Sequence, residues 1–82
     1  MLFYIEVTDQ YGGEANYSWT TRHVIKASTK RGAISKFSRL SGMRWKNEFS
    51  EKYVSKSGAT CYFIEEYDAG IHGNCRFNTD ER

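Results

Sequence analysis

One stretch of this chain, Ser28 to Gly42 (STKRGAISKFSRLSG), has helical periodicity, and the sequence around it alternates mostly in twos. At 3.6 residues per turn, Ala33, Ile34, Phe37 and Leu40 share an apolar stripe roughly 120° wide. Ser28 or Thr29 can cap its start, and Gly42 stands where a left-handed residue closes a helix. A lone helix of roughly 12 residues does not persist in water, so the rest of the chain must supply a sheet for it to lie on. The expected class is therefore α+β.

Leu2 to Thr8 alternates Phe3, Ile5 and Val7 against Leu2, Tyr4 and Glu6, as a strand with one better-buried face does. Gly12-Gly13 reads as the turn of a hairpin. Asn16 to Ala27 then returns with Tyr17, Trp19, Thr21, His23, Ile25 and Ala27 assigned to the helix side. After the helix, Met43 to Lys56 is ambiguous, because Trp45, Phe49 and Tyr53 share a strand face but also recur every fourth residue. The turn signal Lys56-Ser57-Gly58 favours a strand from Phe49 onward, paired with Ala59 to Tyr67, whose β-rich run is the clearest strand in the chain. The expected order is ββαββ, a four-stranded, mostly antiparallel sheet with one helix packed on one face. All 82 residues form one domain, with 69–82 expected as a flexible C-terminal tail. With only one helix, the second sheet face lacks cover, and Tyr4, Val24, Tyr62 and Ile64 fall there as a candidate interface.

Charge is segregated. From Ala15 to Asn47 every charged side chain is Lys or Arg, while Glu6, Asp9 and Glu14 lie before this stretch and Glu48, Glu51, Glu65, Glu66 and Asp68 after it. Lys30 and Arg31 in the first helical turn oppose the helix dipole, which favours negative charge there by about 0.3–1 kcal/mol. An ordinary solvated face accounts for such cations; an anion or nucleic-acid site is the sharper alternative, formed by Lys30, Arg31, Lys36, Arg39, Arg44 and Lys46. Ser28 to Gly32 adds hydroxyls and free backbone N–H groups at a helix start, a combination that can hold phosphate. No nucleic-acid-binding motif supports the basic segment 22–46, so that reading is compositional.

Catalytic arrangements are hard to build from these residues. His72 and Cys75 lie in the expected tail, and Cys61, His72, Cys75 and His23 lack the spacing of a zinc knuckle. Glu65 and Glu66 are adjacent on a strand and point to opposite faces. Neither a metal nor a cofactor is implied, and the chain is expected not to be an enzyme. No apolar run has the roughly 18 residues of a membrane span and no signal-peptide pattern is present, so a cytoplasmic location with reduced cysteines is expected.

The run Tyr11-Gly12-Gly13-Glu14-Ala15-Asn16-Tyr17-Ser18-Trp19, with Ala27-Ser28 and Gly32-Ala33-Ile34, resembles short uncharacterised proteins of tailed-phage genomes and marine or gut metagenomes. The resemblance spans residues 2–67 and implies a setting: a virus-borne accessory protein made in the bacterial host. In size and segregated charge the chain is similar to anti-CRISPR and other host-takeover proteins, which commonly occlude a nucleic-acid site on a host protein. The functional expectation is a non-enzymatic protein that binds a host protein and associates with itself. Direct nucleic-acid binding through residues 22–46 is the alternative.

Overall fold

The computed structural model describes every residue from Met1 to Arg82. The elements are β1 (Leu2–Tyr11), β2 (Glu14–Lys26), α1 (Lys30–Ser41), β3 (Trp45–Phe49), β4 (Lys52–Ser55), β5 (Thr60–Glu66), α2 (Ala69–His72) and β6 (Thr79–Asp80). They build one six-stranded sheet in the order β3-β4-β5-β1-β2-β6, in which only the β2–β6 pair is parallel.

This corrects the four-stranded, one-helix ββαββ expectation. The ambiguous segment after α1 is two short strands, because an irregularity at Glu48 and a positive φ of 42° at Ser50 break it into a hairpin. Residues 69–82, expected as a tail, carry α2 and β6. Asp68 caps α2 by accepting the Gly70 N–H, and β6 continues from Asn78, whose backbone N–H and side-chain oxygen bond Arg22 on β2. Two residues of strand give no periodicity to read.

α1 forms where its signals place it. The Thr29 hydroxyl accepts the Gly32 N–H at 3.1 Å, and Gly42 closes the helix at φ 67°, a conformation that costs glycine little. Ala33 and Phe37 are buried against Phe3, Ile5, Val7 and Ile25.

The second correction concerns faces. Val7 pairs with Tyr62 and Ile5 with Ile64, and directly opposed residues point the same way, so Tyr62 and Ile64 lie in the helix-side core, fully buried. Tyr62 packs between Phe37, Trp45 and Tyr53. Tyr4 and Val24 do lie on the second face, yet both are buried. The His72 ring stacks on Tyr4, and Phe77 meets Tyr4 edge-on. The C-terminal segment thus supplies the cover that one helix cannot.

The far half of the β1–β2 hairpin carries a bulge. Asn16 to Trp19 lie opposite Asp9 alone, and Tyr17 takes a φ of 55°. Asp9 holds this bulge by accepting the Ser18 N–H at 2.9 Å, the Ser18 hydroxyl at 2.6 Å and the Asn16 amide at 2.9 Å. The Thr8 hydroxyl accepts the Tyr17 N–H and donates to the Trp19 carbonyl. Bulges add local bend and twist. At the tip, the buried Lys52 ammonium donates to the Gly13 carbonyl at 3.0 Å and pairs with Glu48 at 2.8 Å, fastening the turn to β4.

Candidate functional site

A cleft lies between the C-terminal half of α1 and β2. Its walls are Trp19 and His23 of β2, Phe37 and Leu40 of α1, and Met43 and Trp45 of the segment entering β3, around a cleft of about 280 Å3. That volume lies at the lower edge of the roughly 300–1,000 Å3 of ligand pockets and suits one or two protein side chains. Leu40 is 53% exposed and Trp19 44% exposed on its rim. Each is an apolar side chain left in water beside an apolar hollow.

Few polar groups face the cleft, and most are engaged. The Trp45 indole N–H donates to the Ser41 hydroxyl at 3.1 Å, and His23 Nε2 meets the Thr21 hydroxyl at 3.0 Å. Burial lowers the His23 pKa and so favours its neutral form. Thr60 Oγ1 is buried at the cleft wall without a partner.

The basic residues singled out in the sequence do not form one uninterrupted row. Lys30 is paired with Glu51, and the Lys36 ammonium donates to the Lys26 carbonyl. Arg31, Arg39, Arg44 and Lys46 are exposed and make no side-chain ion pair or hydrogen bond. Neither Arg39 nor Arg44 lines the cleft, and Arg44 borders a separate hollow with Ser55, Lys56 and Ser57. At the other end of α1, Glu51, Glu65 and Glu66 line the hollow beside Ser28, Thr29 and Lys30. Negative charge there works against a bound anion, and the Thr29 hydroxyl already takes one of the free N–H groups.

The remaining candidates are accounted for by packing. His72 Nδ1 accepts the Asp68 backbone N–H at 2.9 Å, which leaves Nε2 to carry the proton and donate to the Glu65 carboxylate at 2.7 Å. Both nitrogens are used, and the ring is buried. Cys61 is a buried free thiol whose pKa is pushed up by burial, which disfavours the reactive thiolate. No group of three or more His, Cys, Asp or Glu is placed to hold a metal ion.

Neither a protein-family model, nor a curated protein, nor a solved structure matches this chain. No helix is long and apolar enough to cross a membrane.

Sequence reasoning did not find the cleft. Trp19 was on the right side of β2, but the bulge in which it sits is held by a carboxylate, Asp9, that reads as an ordinary turn residue. Ile71, His72 and Phe77 in the expected tail were the available signal that this segment has an apolar surface to cover.

Proposed function

We propose that this chain is a small non-enzymatic binding protein that acts by seating a segment of a protein partner in the groove between α1 and β2. The observation that carries this reading is the pairing of an open apolar cleft with exposed Trp19 and Leu40 on its rim. Interfaces place aromatic and aliphatic anchors in small desolvated pockets and surround them with polar rims. Arg39 and Arg44, exposed and free of intramolecular partners, stand outside the cleft lining and leave its contacts mainly apolar. The resemblance to tailed-phage proteins supplies the setting, a host cell in which the partner is a host protein.

Direct binding of nucleic acid is the second reading, favoured by the same unpaired cations together with Arg31 and Lys46. Capture from a nuclease-treated bacterial lysate separates the two. The first reading predicts a discrete protein retained by the wild-type chain and lost with Leu40→Glu. Retention of nucleic acid in untreated lysate, released by salt and abolished by Arg31→Glu with Lys46→Glu but indifferent to Leu40→Glu, overturns it in favour of the second.

A further inference from the structure

Where β3 begins and β4 ends, two cations stand side by side with no carboxylate to neutralise them. The Lys56 backbone N–H donates to the Arg44 carbonyl at 3.0 Å, continuing the β3–β4 register, so the two residues oppose one another and their side chains leave the sheet on the same side. Like charges placed directly opposite destabilise a sheet. Both side chains are exposed, and neither has an ion-pair partner. They border a shallow hollow of about 280 Å3 whose other walls are Met43, Ser55 and Ser57. The serines there supply further donors. Ser55 Oγ accepts the Thr60 N–H at 3.2 Å, Ser57 Oγ accepts the Ala59 N–H at 3.4 Å, and the two oxygens stand 3.1 Å apart, joined by one hydrogen bond. Two hydroxyl protons are present for that one bond. Ser55 is buried and Ser57 exposed, so Ser55 donates to Ser57, and the Ser57 hydroxyl is left to donate outward. The Ser57 backbone N–H has no acceptor in the chain either.

We propose that this hollow binds a phosphate group, neutralised by the Arg44 guanidinium and the Lys56 ammonium and contacted by the Ser57 hydroxyl and backbone N–H. The site shares only Met43 with the groove and does not depend on it. Four donors of different kinds suit the several oxygens of a tetrahedral oxyanion better than the two of a planar carboxylate, and the arginine fork matches phosphate oxygens two at a time. A bound anion also relieves the repulsion between the two cations. The phosphate belongs either to a small phosphate ester or to the backbone of a nucleic acid. Lys46, exposed and two residues along from Arg44 on the same side of the strand, extends the positive charge toward the next phosphate of such a backbone. Binding at so exposed a site is weak and falls as salt is added.

The test is NMR of the full isotope-labelled chain at neutral pH and constant ionic strength, as sodium chloride is exchanged for sodium phosphate or for sodium acetate. Phosphate is expected to give saturable shifts in the Ser57 amide and the Arg44 Nε–H signals that acetate does not give. Arg44→Gln and Lys56→Gln replace exposed side chains, so the fold is retained. Each is expected to weaken the phosphate response about five-fold, whereas Lys56→Arg keeps it. A short single-stranded DNA of mixed sequence separates the two sources. Shifts in the same signals at lower concentration than phosphate requires, with Lys46 joining them, assign the phosphate to a nucleic-acid backbone; phosphate binding that the DNA neither reproduces nor displaces assigns it to a small ester. Equal shifts in phosphate and acetate, shifts spread evenly over all the exposed cations, or Gln variants that respond like wild type would each overturn the proposal.

Discussion

The imidazole of His72 lies flat on the phenol of Tyr4, with ring centroids 4.1 Å apart and planes 9° from parallel. Through this stack, and through hydrogen bonds at both imidazole nitrogens, a four-residue helix closes a sheet face that would otherwise stand in water. His72→Ala is expected to destabilise the protein by about 1–3 kcal/mol, the range for a buried hydrogen-bonded group whose partners are left unsatisfied. His72→Phe keeps the stack and loses the acceptor for the Asp68 N–H, so it should fall between. Hydrogen exchange is the check: protection should fall in residues 67–82 while β1 and β5 stay protected.

The bulge of the hairpin makes a pH-dependent prediction. Asp9 has its pKa lowered to about 2, chiefly by the Ser18 hydroxyl and then by the Asn16 amide. A depressed carboxylate stabilises the fold above its ordinary pKa near 3.8 and loses that contribution as pH falls through about 2. Wild type should therefore lose stability between about pH 4 and pH 2 more steeply than Asp9→Asn. Thermal unfolding followed against pH tests this, and equal slopes would show that the Asp9 hydrogen bonds contribute nothing net.

Tyr62 offers a substitution expected to cost nothing. Its phenol oxygen is buried without a hydrogen-bond partner, and burial pushes its pKa above the ordinary value. Removing an unsatisfied buried polar group while keeping the ring leaves the contacts with Phe37, Trp45 and Tyr53 in place. Tyr62→Phe should match or exceed wild-type stability, whereas Tyr62→Ala should lose about 3–5 kcal/mol. Denaturant unfolding of the two variants measures both.

At the helix start, Thr29→Ala removes the acceptor of the Gly32 N–H and should cost about 0.5–2 kcal/mol, with Thr29→Ser close to wild type. The same unfolding experiment reads it.

These residues also mark where the sequence was legible. α1, its caps and the β1–β2 hairpin follow from local rules: an apolar stripe, Thr29, Gly42 and a Gly-Gly turn. The faces of β5 were misread because Thr60 to Glu66 is apolar on both sides, so alternation carries no phase; only pairing with Val7 and Ile5 assigns Tyr62 and Ile64 to the core. β6 escaped notice because parallel pairing to β2 is a tertiary choice made by two residues. The groove was hidden for a related reason. Its walls come from β2, α1 and the segment entering β3, residues distant in sequence that only tertiary packing brings together.

That a protein segment seats in this groove is tested most directly by NMR of the isotope-labelled wild-type chain as the protein it retains from nuclease-treated lysate is added. The account predicts progressive shifts in the indole N–H signals of Trp19 and Trp45 and in the Leu40 methyl groups, with α2 unaffected. Groove signals that stay fixed throughout, or shifts confined to another surface, would contradict it.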